Sequence, residues 1–255
     1  RDAISLYQII KRTWKLGFIQ KEGDTISIED KFLNRIYKRD AVEGMNILYE
    51  KYGEFVDLIV TDPPYKIVQG GAKTKGKNAM GGSLSQGSDN VSKGTIFDYN
   101  DTELKDWIPA ATKLLKEGAF FYCFTNSLNM RELLNIANDN KLKLNNILVM
   151  VKDNCVVNQW YMKNVEYVCF FRKGKAKPLN DRGLKTAIEV IMPRGEEKVH
   201  PTQKPYDYIE MLVKNSSQEG EIVLDPFMGS GTTAKACEKL KRRYIGFEID
   251  EKYNI

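Results

Sequence analysis

Strand-like and helix-like patterns alternate along this chain, and this alternation constrains its fold more than any single motif. Short apolar runs predict strands at 55–60, 119–124, 146–151, 166–171, 221–224 and 243–248, with a weaker candidate at 35–38. Amphipathic patterns predict helices at about 2–16, 40–51, 102–117, 127–139, 205–217 and 231–240. This order is typical of an α/β fold with a doubly wound, mostly parallel sheet and helices on both faces.

Length and composition fit a single soluble domain. The 255 residues, of which 42% are hydrophobic, are enough for one sizeable core. No apolar run approaches the roughly 20 residues needed to cross a bilayer, and the N-terminus lacks the cleavage pattern of a signal peptide. We therefore expect a cytoplasmic protein with no membrane partner.

The chain offers little material for metal or histidine chemistry. His200 is the only histidine, and the four cysteines, Cys123, Cys155, Cys169 and Cys237, are far apart in sequence. These spacings argue against a disulfide framework and against a zinc site. We expect no bound metal.

An Asp-Pro-Pro-Tyr tetrapeptide follows the predicted strand 55–60. Proline cannot continue a strand ladder or a helix, so the chain must leave the sheet there in a rigid turn. The carboxylate of Asp62 and the carbonyl of Pro63 would accept the two hydrogens of an exocyclic amine on a planar ring. Tyr65 would stack on that ring, a contact worth roughly 1–3 kcal/mol. A plain strand-ending turn is equally compatible with these four residues alone.

A glycine-rich segment, 225–234, joins the predicted strand 221–224 to the helix that follows. Its glycines let a ligand approach the backbone, and Glu248 ends the next strand, where an acid suits a ribose diol. The segment also satisfies the dinucleotide-binding pattern of two glycines and then glycine or alanine. An NAD site and a ligand-free turn are therefore alternatives. No lysine follows the glycines as in a P-loop, which argues against an NTPase.

The position of the glycine-rich segment weighs against NAD. Little sequence follows it, so the remaining strands of a dinucleotide domain would have to come from upstream in a permuted order. If strand 221–224 lies beside strand 55–60, both motifs open into one crevice at the carboxyl ends of the strands. One motif would then hold a nucleoside-like cofactor and the other an amino-bearing ring.

Three motifs in this order resemble those of the β group of DNA methyltransferases, which methylate exocyclic amino groups with S-adenosylmethionine. The tetrapeptide at 62–65 resembles the catalytic motif, and 225–233 resembles the cofactor loop. His-Pro-Thr-Gln-Lys-Pro at 200–205 matches a third motif. The resemblance covers roughly 36–255, which leaves 1–35 as an N-terminal extension. It implies a Rossmann-like methyltransferase fold with permuted motif order.

The resemblance also implies which residues form the site. The catalytic group would be Asp62, Pro63, Pro64 and Tyr65. Asp40 would contact the cofactor adenine, Phe227 would pack near it, Glu248 would bind the ribose, and Thr202 and Lys204 would lie near the methionine end. The implied cofactor set is Asp40, Ala41, Asp62, Thr202, Lys204, Asp225, Pro226, Phe227, Gly229, Gly231, Thr232 and Glu248. Asp40 could instead simply cap the helix that follows it.

The implied activity is direct methyl transfer to N6 of an adenine flipped out of double-stranded DNA. Asp rather than Ser at position 62 favours adenine N6 over cytosine N4, which shares the chemistry. An NAD-dependent oxidoreductase and a DNA-binding protein with a vestigial pocket are rivals from other classes. The resemblance also allows a homodimer and a cognate restriction endonuclease as partners.

Two cationic segments suggest contacts to DNA phosphates around the site. The net charge is only +5, but segment 66–97, which we expect to be a mobile loop, holds five lysines, four of them between 66 and 77. The second segment, 172–177, contains four cationic residues and follows a predicted strand. Segment 173–199 is a short candidate for target recognition.

Overall fold

The computed structural model describes residues 28–64, 102–156, 161–194 and 203–250. The predicted helix 2–16, Tyr65, loop 66–97 and Thr202 lie outside these residues. No helix in the described ranges is both long and apolar enough to cross a membrane.

The described residues contain eight strands and five α-helices. The strands are β1 Arg35–Lys38, β2 Val56–Thr61, β3 Leu115–Thr125, β4 Leu142–Val156, β5 Lys163–Lys173, β6 Ala187–Val190, β7 Ile222–Asp225 and β8 Arg243–Glu248. The helices are α1 Ala41–Tyr52, α2 Leu104–Leu114, α3 Met130–Asp139, α4 Tyr206–Ser216 and α5 Thr232–Lys239, with a short 3₁₀ turn at Asp30–Phe32.

All eight strands form one sheet in the order β1-β8-β7-β2-β3-β5-β4-β6. Every neighbouring pair is parallel except the two that involve β5, which runs antiparallel to β3 and β4. The predicted doubly wound, mostly parallel α/β sheet is confirmed. β2 also lies beside β7 as predicted, with Leu58 opposite Val223 and Ile59 opposite Leu224.

Helices cover both faces of the sheet, which explains why the central strands are apolar without alternation. One core cluster packs under α1, α2 and α3 and includes Ile59 of β2. The other packs under α4 and α5 and includes Leu58 and Val60. β2 is therefore buried from both sides, and the chain that follows it is held at a fixed point on the sheet edge.

One strand of the sheet was not among the sequence expectations, and part of the predicted N-terminal extension joins the core. β6 was not predicted; it is an edge strand of only four residues with alternating exposed and half-buried positions, paired parallel to β4. Ile28, Phe32 and Leu33, inside the predicted N-terminal extension, are buried in the core. Tyr37 fixes this segment by donating a hydrogen bond to the Phe32 carbonyl at 2.8 Å.

Candidate active site

Four carboxylates follow or end four adjacent parallel strands. Asp40 follows β1, Glu248 ends β8, Asp225 ends β7 and Asp62 follows β2. Because these strands are parallel neighbours, their carboxyl ends meet along one edge of the sheet, where ligands bind in open α/β folds. The structure therefore brings the beginning of the tetrapeptide, at Asp62, and the glycine-rich segment to one crevice.

Asp225 is buried and holds the glycine-rich loop together. Its Oδ2 accepts a hydrogen bond from the Thr233 hydroxyl at 2.7 Å, and its Oδ1 accepts one from the Phe227 amide at 3.1 Å. Burial raises the pKa of Asp225 to about 6, although these hydrogen bonds act to lower it. Both oxygens point into the loop, so this carboxylate supports the loop rather than facing the crevice.

The loop turns through two glycines in the left-handed region. Gly229 has φ 54°, and Gly231, the N-cap residue just before α5, has φ 76°, a conformation that costs other residues energy. The amide of Gly229 donates to Glu248 Oε2 at 2.8 Å, and the amide of Met228 donates to the Phe247 carbonyl at 2.9 Å. The loop therefore folds back against the end of β8.

Glu248 is oriented by two backbone donors. The amide of Gly229 binds Oε2, and the amide of Asp250 binds Oε1, both at 2.8 Å. A carboxylate oxygen has a second lone pair, so this geometry leaves acceptors for ligand hydroxyls. An acid fixed in this way at the end of the strand fits a ribose diol.

The remaining loop side chains pack locally at the end of β7. Phe227 is partly buried, with its ring edge-on to Trp107 at a centroid distance of 5.2 Å. Pro226 is buried, and the Thr232 hydroxyl lies 3.3 Å from that of Ser230. Phe227 thus supplies an apolar aromatic surface one strand away from Glu248.

Asp40 caps α1. Its Oδ1 accepts a hydrogen bond from the amide of Glu43 at 2.9 Å, and Ala41, the first residue of the helix, is buried. The helix-cap alternative for Asp40 is therefore a real structural role. It uses one of the two carboxylate oxygens, Oδ1.

At the other end of the crevice, Asp62 is ion-paired with Lys204. The distance from Lys204 Nζ to Asp62 Oδ2 is 2.5 Å, and only 8% of the Lys204 side chain is exposed. Pro63 is buried and Pro64 is half-buried beside them. The third motif thus reaches the catalytic tetrapeptide through a charge-assisted hydrogen bond.

Lys204 also contacts a second carboxylate that sequence reasoning missed. Its Nζ lies 3.2 Å from Glu166 Oε2, and Glu166 Oε1 in turn accepts a hydrogen bond from Lys152 Nζ at 3.1 Å. Glu166 lies inside β5 and Lys152 inside β4. Two carboxylates and two ammonium groups therefore alternate in one largely buried network.

The network drives the two carboxyl groups apart in proton affinity. Burial raises the pKa of Asp62, and the charge of Glu166 adds to this effect, whereas Lys204 opposes it. Burial acts to raise the pKa of Glu166 as well, but Lys204 and Lys152 together outweigh it and lower that pKa. Such divergence between neighbouring carboxyl groups is common at catalytic sites.

Glu166 had one signal in the sequence, an acid opening the apolar run 166–171. That signal does not show where Glu166 lies in the fold. The beginning of this run reaches the carboxyl ends of the other strands only because β5 runs antiparallel to its neighbours. Pairing across β4 and β5 places Met150 opposite Glu166. Glu166 pairs with Lys204, which is 38 positions later in the chain, so no local sequence pattern could predict this ion pair.

The second cationic segment does not flank this crevice, contrary to the expectation from sequence. Arg172 and Lys173 end β5, which finishes at the opposite edge of the sheet because it runs antiparallel. Lys173 is buried and ion-paired with Glu54 at 2.7 Å. Lys177 is paired at 2.5 Å with Glu221, which precedes β7.

A family model described as DNA methylase matches residues 56–254 of the chain. The chain belongs to the DNA methylase family. This membership decides against an NAD-dependent oxidoreductase, which the glycine pattern alone had left open. The matched residues contain both the tetrapeptide that follows β2 and the glycine-rich loop that follows β7.

Characterised relatives of this DNA methylase are type II methyltransferases. M2.MboI of Moraxella bovis is 27% identical over 237 residues, which are 86% of this chain and 84% of that protein. M.HinfI of Haemophilus influenzae is 28% identical over 246 residues, which are 87% of this chain but only 66% of that protein.

Solved structures share the fold. The M1.HpyAVI–SAM complex is 25% identical, with a TM-score of 0.64, and the match covers 86% of this chain and 95% of that one. The cytosine-N4-specific PvuII DNA methyltransferase is 17% identical, with a TM-score of 0.61 and coverage of 86% and 82%. The fold of this DNA methylase is therefore shared with methyltransferases of known structure.

Proposed function

We propose that this DNA methylase transfers a methyl group from S-adenosylmethionine to N6 of an adenine in double-stranded DNA. The observation that carries the proposal is the pairing of β2 with β7. Because of it, the acceptor Asp62 and the glycine-rich loop open into the same crevice. The M1.HpyAVI structure, solved as a complex with S-adenosylmethionine, supports the choice of cofactor.

The residues of the crevice fit this cofactor. Gly229 and Gly231 leave two positions of the loop without a side chain, Glu248 is oriented to accept hydroxyl hydrogens, and Phe227 supplies an apolar surface for a ring. Lys38 lies opposite Glu248 across the β1–β8 pair, and Asp40 follows two residues later. S-adenosylmethionine supplies a methyl group made electrophilic by its bond to a sulfonium sulfur.

On the substrate side, the chain provides two acceptors for one amine. Lys204 holds Oδ2 of Asp62, whereas the buried Oδ1 has no hydrogen-bond partner among the described residues. Oδ1 and the Pro63 carbonyl would accept the two amine hydrogens and favour a pyramidal nitrogen with a free lone pair. Tyr65 would stack on the base. Flipping the base into the site costs a few kcal/mol. The main contribution of the enzyme to the rate is then the alignment of the reacting atoms.

The choice of adenine rests on Asp at position 62. Cytosine N4 carries the same kind of amine and is the second candidate. The likeness to the cytosine-specific PvuII enzyme is at 17% identity and therefore supports only the fold. A homodimer, a cognate restriction endonuclease and a recognition role for 173–199 are further proposals that rest on the sequence alone.

The test is to identify the methylated base. The protein is incubated with duplex DNA and methyl-labelled S-adenosylmethionine, and the DNA is digested to nucleosides. We expect label in N6-methyladenine; label in N4-methylcytosine would reverse the assignment. Asp62→Ala is expected to reduce transfer to less than about a tenth of wild type while DNA binding persists. Glu50→Ala, at an exposed acid of α1, is the matched control.

A further inference from the structure

The network around Lys204 has a feature that the methyl-transfer geometry does not use. Lys204 is shared between Asp62, at 2.5 Å, and Glu166, at 3.2 Å, so its single charge serves two carboxylates. Lys152 supplies the second cation, but it contacts only the far oxygen of Glu166. Among the described residues, Asp62 therefore has no cation to itself.

Burial makes this sharing consequential. The Lys204 and Lys152 side chains are 8% and 11% exposed, and those of Asp62 and Glu166 are each 22% exposed. The ring of Phe124 lies 5.2 Å from Lys204 Nζ and further separates the group from water. At such sites, a neighbouring charge shifts proton affinity far more than it does in water.

We propose that Glu166 is a positioning residue that draws Lys204 partly away from Asp62 and so keeps Asp62 basic enough to take the proton released by methyl transfer. The inference rests on the proposed methyltransferase function and goes beyond it. Glu166 contacts neither base nor cofactor in this role; it acts through Lys204. The raised pKa of Asp62, to which burial and then the charge of Glu166 contribute, agrees in direction.

The proton must go somewhere for the reaction to balance. Transfer forms an N–C bond with the lone pair of the amine and breaks the S–C bond, whose electron pair stays on sulfur. The base nitrogen then carries a positive charge until one N–H bond breaks and leaves its electron pair on nitrogen. That proton passes to Oδ1 of Asp62, and the neutral carboxyl group later returns it to solvent.

Other titratable groups around Asp62 are less able to play this part. Asp225 is engaged by two loop donors, and Cys123 on β3 is a buried thiol whose pKa burial raises well above its usual value. Tyr208 on α4 also has a pKa raised by burial, so it stays protonated. In the part of the chain that the structure describes, the charged groups that act on Asp62 are therefore Lys204, Glu166 and Asp225, and Lys152 acts on it only through Glu166.

The inference predicts that two variants shift the pKa of Asp62 in opposite directions. In Glu166→Gln, the whole charge of Lys204 turns to Asp62, so the pKa of Asp62 falls. In Lys152→Met, Glu166 loses its own cation and draws harder on Lys204, so the pKa of Asp62 rises. The acid limb of the single-turnover methylation rate should move to lower pH in the first variant and to higher pH in the second.

Single-turnover rates are measured on a DNA that the wild-type protein methylates, from about pH 5 to pH 9. The maximal rate of Glu166→Gln should fall about tenfold or more, a share of the 10²–10⁴-fold that general-base catalysis typically contributes. The KM values for DNA and cofactor should change little. Glu166→Asp, which keeps the charge, should recover part of the rate, and Glu50→Gln, at an exposed acid of α1 on the other face of the sheet, should leave the acid limb in place.

Limbs that do not move, or that move in the same direction in both variants, would overturn the inference. Failure of the proposed function is recognised separately, because the wild-type protein would then methylate no DNA. In that case, carbon-13 NMR titration of the Asp62 carboxyl group, assigned by its loss in Asp62→Asn, makes the same comparison without activity. Unfolding of either variant is detected by circular dichroism, and the NMR titration of the remaining one then decides.

Discussion

At the scale of single residues, the crevice separates carboxylates that hold the protein together from those that face a ligand. Asp225 is of the first kind, because its two oxygens are occupied by Thr233 and Phe227. Glu248 and Asp62 are of the second kind, since each is held by neighbours and keeps acceptor capacity. This division could not be made from the motifs, in which all three are simply acids at the ends of strands.

Asp225 should make the folded state sensitive to pH. Its pKa is about 6 in the folded protein against an ordinary value of 3.8. Between these values the folded state holds a proton that the unfolded state has lost, so the free energy of unfolding falls as pH rises. The fall is about 1.4 kcal/mol per pH unit, or roughly 3 kcal/mol in all.

Asp225→Asn tests this prediction. Urea unfolding from about pH 4 to pH 7 should give a stability difference between variant and wild type that grows in favour of the variant up to about pH 6 and is flat above it. Other carboxyl groups titrate in both proteins and cancel from the difference. A constant difference across this range would show that the Asp225 carboxyl group titrates alike in both states.

Substitution can separate the capping role of Asp40 from its proposed contact to the cofactor. Asp40→Ser keeps an N-cap acceptor for the Glu43 amide, whereas Asp40→Ala removes it, which typically costs about 1 kcal/mol of stability. If Asp40 also contacts the cofactor, both variants should bind S-adenosylmethionine more weakly, as measured by calorimetry. Wild-type affinity in the serine variant would leave Asp40 with the capping role alone.

At the scale of elements, α1 and β8 approach so closely that only glycine fits between them. A Cβ on Gly44 would lie 2.1 Å from the ring of Phe247, which is itself buried in the core. The contact fixes α1, and with it Asp40, against the strand that ends in Glu248. Two proposed cofactor contacts therefore depend on one helix–strand contact.

Gly44→Ala should lower stability despite the better helix propensity of alanine. The propensity gain is about 1 kcal/mol, and overpacking a core typically costs about 1–3 kcal/mol. Since the nearest atoms belong to a buried ring, we expect net destabilisation of about 1 kcal/mol and weaker cofactor binding. Asn46→Ala, on the exposed side of the same helix, gains propensity without a clash and serves as the matched control. Equal stability changes in both variants would contradict the tight contact.

At the scale of the whole molecule, the crevice and a group of cationic side chains lie at opposite ends of the strands. The acids of the crevice lie at the carboxyl edge, whereas an open cavity of about 630 Å³ at the amino edge is lined by Lys143, Arg172, Lys175, Lys177 and Arg182. A duplex that presents a base to Asp62 occupies the carboxyl edge. The amino-edge cluster should therefore contribute little to DNA binding.

Salt dependence distinguishes the two cationic segments. We predict from the sequence that Lys73, Lys75 and Lys77, in loop 66–97, contact phosphates, so replacing them with alanine should flatten the log–log salt slope by about 0.9 for each phosphate that is no longer neutralised. Lys175→Ala with Lys177→Ala should leave that slope unchanged. Fluorescence anisotropy at several salt concentrations measures both, and a flattened slope in the second variant alone would assign the DNA to the other edge.

Local chemistry explains what the sequence by itself determined. The strands and helices were predicted from the periodicity of their apolar residues. The turns after β2 and β7 were predicted from proline and glycine, whose backbone preferences depend little on the surrounding structure. The order of three motifs was enough to predict a methyltransferase fold and an exocyclic-amine chemistry. The edge strand β6 was not predicted because its four residues, alternately exposed and half-buried, are too few to show a recognisable strand pattern.

Only the tertiary structure decided which distant charges meet. The reversed direction of β5 carries Glu166 to the crevice and Arg172 away from it, and strand direction is not encoded in the local pattern of an apolar run. The ion pair between Asp62 and Lys204 joins residues 142 positions apart, on segments brought together by the β2–β7 pairing and by α4. Proton affinity in the site depends on such contacts, because burial and neighbouring charges, rather than residue type, set it.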